Sequence, residues 1–247
     1  MTNKILKKIV GVFDYKLVEK NLIKNNRLIH SKSILNLNLI LKKIFDNQKI
    51  KCLIQIGAND GSRFDELNIF IKKYKIKSIL VEPINEYFED LKKNYKNLEN
   101  VYFENSAITV GTKEKEIYAV NYKNLNDYDD HIKGISSFNK NHLIKHGVKS
   151  NHILKKKINC ISILNLLKKY NISNLDILFI DAEGYDGDIL IDFFSSSTQE
   201  PILIFEYIHI ENKIFKDLVS ILTNKKYSYF NINENLICLP KKIEKFL

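Results

Sequence analysis

The sequence predicts an α/β fold built on an open, mostly parallel sheet. Two observations carry this. From residue 51 onward, short apolar runs alternate with amphipathic stretches at roughly 25-residue intervals, the rhythm of βαβ units. The runs are nearly continuous in apolar residues, as befits strands buried on both faces. Five of them also end in polar or glycine-rich groups: GANDG at 57–61, EP at 82–83, ENSA at 104–107, DAEG at 181–184 and EYIH at 206–209. In an open parallel sheet such ends gather along one edge, where ligands bind.

Taken in order, residues 1–46 are expected to form a helical N-terminal extension. SILNLNLILKKIF repeats apolar residues densely, with Ser33 available as a cap. Residues 4–13 form a short apolar run compatible with peripheral membrane contact. KCLIQIG (51–57) reads as the first strand, SRFDELNIFIKKYK (62–75) as a helix, KSILVEP (77–83) as the second strand, NEYFEDLKKNYKN (85–97) as a helix and NVYFENSAIT (100–109) as the third strand. KEKEIYAVNY (113–122) alternates like an antiparallel strand. Residues 123–157 are polar and lack a strong period, so they read as an insertion or flexible loop region, a common place for substrate contacts.

The α/β rhythm then resumes. ISILNLLKKYN (161–171) is a helix, NLDILFIDAEG (174–184) a strand, YDGDILIDFFSSS (185–197) a helix, PILIFEYIH (201–209) a strand and NKIFKDLVSILTNKK (212–226) a helix. YSYFNINENLICL (227–239) divides into two strands around Asn233–Asn235, a terminal hairpin. The main domain is expected over 47–247, with the insertion at about 110–157.

Composition sets outer bounds. The 247 residues are 45% apolar and 28% charged, ordinary values for a soluble domain. No stretch has 18 uninterrupted apolar residues, which argues against a transmembrane helix. The N-terminal run is broken by lysines and too short for a cleavable signal, so the expected location is cytoplasmic. Three cysteines, Cys52, Cys160 and Cys238, lie far apart with no CxxC pair, and read as reduced thiols. The net charge of +10 is spread in lysine pairs such as Lys42–Lys43, Lys72–Lys73 and Lys92–Lys93. That dispersal suits solvated helix faces and argues against a nucleic-acid partner, while attraction to anionic substrates or a membrane surface stays compatible.

The GANDG loop is the first chemical feature. Gly57 and Gly61 permit tight turning and close approach of a ligand to the backbone. A dinucleotide fingerprint would need glycines at 59 and 62, where Asn59 and Ser62 stand, and this weakens a nicotinamide cofactor. Glu82 closes the second strand 21 residues after Gly61, where a carboxylate can accept hydrogen bonds from both hydroxyls of a ribose. Taken alone it fits NAD or S-adenosylmethionine. An NAD-dependent oxidoreductase and a non-catalytic basic nucleic-acid-binding module are the competing readings.

The second feature is Asp181–Ala182–Glu183. With the strand extended through Glu183, both carboxylates would share a face and meet the GANDG loop. There a carboxylate could balance a positive charge, position a hydroxyl or act as a base, whereas Asp186 or Glu183 could instead cap the following helix. Base candidates for an alcohol acceptor are Asp181, Glu206 and His209. His131, His142, His146 and His152 read as loop residues. Two oxygen-rich clusters, Asp127, Asp129, Asp130 and His131, and Asp181, Glu183, Asp186 and Asp188, are compatible with Mg²⁺, but no metal ligand is assigned.

GANDG, LVEP, NSAI, GISSF and IDAEGYDGDIL together resemble the FkbM family of S-adenosylmethionine-dependent methyltransferases over roughly residues 51–209. Gln55 departs from the acidic residue the family often carries there. The resemblance implies a Rossmann-like class I methyltransferase fold, with a seven-stranded, mostly parallel sheet whose last strand is antiparallel. It implies that Gly57, Ala58, Asn59 and Gly61 line the methionine part of the cofactor and that Glu82 holds the ribose. Asn105, Ser106 and Ala107 would sit near the adenine, Ser136 and Ser137 close to the active site, and Asp181 and Glu183 facing cofactor or substrate. The implied reaction is methylation of a hydroxyl on a saccharide or related small metabolite.

Overall fold

The computed structural model describes residues 36–63 and 65–243, except for the side chains of Asp130 and His131. The expectations for Ser33 and for membrane contact at 4–13 lie outside the described residues. The first described helix, α1 (Leu37–Asn47), buries Leu37, Ile40, Leu41, Ile44 and Phe45, the i, i+3, i+4, i+7, i+8 stripe of a one-sided helix.

The chain then winds β1 (Cys52–Ile56), α2 (Asn68–Tyr74), β2 (Lys77–Val81), α3 (Asn85–Asn94) and β3 (Val101–Glu104). It leaves the main sheet for β4 (Ala107–Ile108), β5 (Glu114–Val120), α4 (Asp130–Lys133), β6 (Ser136–Ser137), α5 (Lys140–Lys145) and β7 (Ile153–Ile161). It returns through α6 (Ile163–Lys169), β8 (Ile177–Ile180), α7 (Asp186–Ser196), β9 (Ile202–Glu206), α8 (Asn212–Asn224), β10 (Ser228–Ile232) and β11 (Asn235–Leu239).

The main sheet has seven strands in the order β10-β11-β9-β8-β1-β2-β3. β11 pairs antiparallel with both β9 and β10, and the other pairings are parallel. This is the Rossmann-like class I methyltransferase arrangement, with its last strand reversed. Strand alternation sorts the core into two faces. Ile54, Ile56, Leu178, Ile180, Leu203 and Phe205 point to one face, under α6, α7 and α8. Leu53, Ile177, Phe179, Ile202 and Ile204 point to the other, under α1, α2 and α3. Each such buried side chain contributes about 1.5–3 kcal/mol.

The strands end in register. Ile56 pairs with Val81 on one side and Ile180 on the other, and Ile180 pairs with Phe205. Gly57, Glu82, Asp181 and Glu206 therefore emerge along one edge.

Three local expectations change. The helix expected over 62–75 begins only at Asn68. Asp60 accepts the backbone N–H groups of Ser62 and Arg63, and Asp65 accepts that of Leu67, so short polar side chains hold the chain in turns instead. The third strand divides, β3 in the main sheet and β4 beside β7 in a four-stranded sheet ordered β4-β7-β5-β6. Residues 123–157 form ordered short elements around Val120, Leu125, Ile132, Ile135, Leu143 and Val148. Those before Ile153 are each only a turn or two long, so no period shows in the sequence. Ile153–Ile161 pairs antiparallel with β5 along its length, its three consecutive lysines notwithstanding. Among the described residues no helix is long and apolar enough to cross a membrane. The three cysteines are free thiols, and burial pushes the Cys52 thiol up to about 11.

Candidate active site

A cavity of about 450 Å³ opens where the main-sheet strands end. Its floor is the turn after β1. Gly57 has φ +78°, and a Cβ placed there would sit 1.9 Å from the carbonyl oxygen of Asp181. Only glycine lets the ends of β1 and β8 approach this closely. The Gly57 and Ala58 N–H groups both donate to Val81 O at 3.0 Å, tying the turn to β2.

Glu82 fixes the rest of the loop. It is 4% exposed. One carboxylate oxygen accepts from the Asn59 N–H at 3.0 Å and the other from the Ile84 N–H at 2.8 Å. Burial raises its pKa to about 7, against those two hydrogen bonds, which favour the charged form. A carboxylate has about four acceptor positions, so each oxygen keeps one for a ligand.

The predicted residues divide. Gly57, Ala58, Asn59, Glu82, Ser106, Ala107, Ser136, Asp181, Glu183, Glu206 and His209 line the cavity. Gly61 is turned away, and a Cβ there would meet Leu91 and Tyr95 at 2.5 Å. Asn105 also stands back, its amide donating to the Glu82 and Pro83 carbonyls and locking the β2 end to the β3 end. Ser137 donates to the Glu183 carbonyl at 3.3 Å, joining the small sheet to the turn after β8.

That turn corrects one premise. β8 ends at Ile180, and Glu183 has φ +51°, so Asp181 and Glu183 do not share the face of an extended strand. They still meet in the cavity. Asp186 takes the structural part, accepting the N–H groups of Ala182 and Gly184 at 3.4 and 3.2 Å. Of the 127–131 cluster, Asp127 lies 3.8 Å from His152 Nδ1.

Asp181, Glu183 and Glu206 crowd this end of the cavity. Loss of water from around Asp181, which still opens to the cavity, and then Glu183, Asp186, Glu206 and Glu66, raise its pKa well above the usual range. Burial, then Glu183 and Asp186, push Glu206 up to about 8. Burial and the neighbouring His142 lower His209. Glu206 Oε1 stands 3.7 Å from His209 Nε2, and its buried Oε2 has no hydrogen-bond partner. Gln55 Oε1, also at the cavity, is likewise unpartnered, while its amide donates to Asp65. Such a wall suits a ligand that donates hydrogen bonds and carries positive charge.

Two features escaped the sequence reading. His142 and His146, expected in a loop, pack against His209 with ring centroids 4.7 and 5.3 Å away. His142 Nε2 lies 2.7 Å from Glu183. The i, i+4 spacing of the two histidines was the available signal. Lys115 lies 3.8 Å over the ring of Phe138 and 4.6 Å over that of Tyr185, beside the cavity wall.

The family model for the methyltransferase FkbM domain matches residues 55–229. The chain belongs to this family. Several solved structures resemble the FkbM-domain chain at low identity. A structure titled methyltransferase FkbM from Methylobacillus flagellatus KT is 13% identical, with a TM-score of 0.47 over 77% of this chain and 44% of that one. The METTL16 MTase domain is 11% identical, with a TM-score of 0.45 over 82% of this chain and 64% of that one. An O-methyltransferase from Bacillus cereus in complex with SAH is 9% identical, with a TM-score of 0.44 over 95% of this chain and 96% of that one. The FkbM-domain chain thus spans less than two thirds of the first two. A comparison with curated proteins finds no match.

Proposed function

We propose that this FkbM-domain protein is an S-adenosylmethionine-dependent methyltransferase acting in the cytoplasm on a hydroxyl of a saccharide or related small metabolite. The observation that carries the cofactor is Glu82, buried at the end of β2, bonded to Asn59 and Ile84 and still able to accept from a ribose diol. The orphaned acceptor Gln55 Oε1 supplies an independent fit, since the cofactor's amino-acid end brings N–H donors. The acceptor class follows the family likeness.

When bound, S-adenosylmethionine supplies a methyl group already activated by its sulfonium. The chain's own task is alignment and removal of a proton. Gly57, Ala58 and Asn59 would hold the amino-acid portion, Glu82 the ribose, and Ser106 and Ala107 the base. Asp181, facing the cavity between the ends of β1 and β9, would hold cofactor or substrate by hydrogen bonding. Glu206 receives the proton of the acceptor hydroxyl, with His209 Nε2 standing 3.7 Å from its Oε1.

Calorimetric titration with S-adenosylmethionine, beside NAD, tests this reading. Saturable binding of the first alone is expected. Binding of NAD alone, or of neither, overturns it.

A further inference from the structure

Among the described residues, two overlapping groups of metal-type ligands stand at the cavity. His142, His146 and His209 form one, and Glu183, Glu206 and His209 the other. In each group the nitrogen and carboxylate oxygen atoms lie within 4.8 Å of one another. We propose that His142, His146 and His209 bind a divalent transition-metal ion of the zinc type, with Glu183 and Glu206 as its carboxylate partners.

The donor set carries the choice of ion. Imidazole nitrogens with one or two carboxylates suit zinc and its neighbours, whereas magnesium and calcium select oxygen. His142 and His146 are one helical turn apart at the end of α5, the spacing by which a helix presents two imidazoles to one ion. Glu183, bonded to His142, orients that ring, as carboxylates behind metal-bound histidines do.

Ring packing alone would explain three histidines with centroids 4.5 to 5.3 Å apart. It would not explain why His209 is shared with a second group of ligands that holds Glu206, whose buried Oε2 has no partner. Leaving a buried carboxylate oxygen unpaired is costly, and a cation removes the cost.

His146, His209, Glu183 and Glu206 all line the cavity, so an open coordination position would face it. One consequence rests on the methyltransferase reading above: an acceptor hydroxyl oxygen would take that position, with His209 as ligand, and its proton would pass to the Glu206 carboxylate oxygen that does not meet the ion.

The test uses the full chain, stripped by dialysis against a chelator and titrated with Zn²⁺ and separately with Co²⁺. We expect one ion per chain, a rise in the unfolding midpoint with Zn²⁺, and visible Co²⁺ absorption without a thiolate charge-transfer band. His146→Ala and His209→Ala should each weaken binding by more than the roughly 10–100-fold typical of losing a supporting residue behind a ligand. His152→Asn is the control, since its ring nitrogen bonds Tyr128 instead. His146→Gln replaces the alanine variant if that one does not fold. S-adenosylmethionine affinity, measured on the same stripped protein, reports the methyltransferase reading separately. Its absence beside intact metal uptake would sink that reading alone. The metal proposal is overturned by failure of the wild type to take up one ion, by uptake unchanged in the histidine variants, by equal loss in His152→Asn, or by a thiolate band.

Discussion

Glu82 reaches across from the end of β2 to accept the backbone N–H of Asn59 at 3.0 Å, so one buried carboxylate shapes the loop after β1 and faces the ligand cavity. Glu82→Gln puts an amide donor opposite a backbone donor, at Asn59 or at Ile84. It also removes the charge that a ribose diol would meet. Hydrogen bonds to charged groups contribute about 1.5–3 kcal/mol each, so the Kd for S-adenosylmethionine should rise at least tenfold. Calorimetry on the two proteins decides, and equal affinities would remove Glu82 from the ribose.

The same residue predicts a pH dependence of stability. Its pKa is 4.5 when unperturbed and about 7 in the fold. Between those values the folded chain retains a proton that the unfolded chain has released, so this residue's contribution falls as pH rises through that window and levels off above it. The difference corresponds to on the order of 3 kcal/mol. Denaturant unfolding of wild type and Glu82→Gln at pH 5 and pH 8 isolates it. The wild type should lose more stability than the variant, and parallel losses would refute the shift.

Cofactor binding should run the other way. A diol donates to the ionised carboxylate, so affinity should fall about tenfold for each pH unit well below 7 and be flat above. Titrations from pH 5.5 to 8.5 measure it, and Glu82→Gln should lose the slope.

Glu206 offers a kinetic prediction. Removing a general base costs typically about 10²–10⁴-fold in rate. Glu206→Gln should therefore lower kcat by that order while leaving the Kd for S-adenosylmethionine within a few-fold. Initial rates of methyl transfer to a panel of unmethylated saccharides give the first quantity and calorimetry the second. A variant that binds weakly but turns over normally would show that Glu206 serves binding instead.

The main sheet was legible because its strands are buried on both faces. CLIQI, ILFI and ILIFE are nearly unbroken apolar runs, and α1 carries a complete one-sided stripe. The cavity was legible because parallel strands place their ends together, which is why Gly57, Glu82, Asp181 and Glu206 meet. What escaped depended on distant side chains or on short elements. No local rule turns Gly61 toward Tyr95, or uses Asn105 to lock two strand ends. His142 and His146 come from a stretch without a strong period, and nothing within it shows that they face His209.

Gly57 and Gly111 provide a matched pair for the close approach of β1 and β8. Both have positive φ, +78° and +75°. Alanine at either pays for a left-handed backbone, about 1–3 kcal/mol. At Gly111 an added Cβ meets nothing within 4 Å, whereas at Gly57 it lies 1.9 Å from the Asp181 carbonyl oxygen. Gly57→Ala must therefore also part the two strand ends, and overpacking adds typically about 1–3 kcal/mol. Urea unfolding should show the larger loss at Gly57, with S-adenosylmethionine binding reduced there and retained in Gly111→Ala. Equal losses of stability would mean that the backbone conformation, and not the contact with Asp181, is what requires glycine at the end of β1.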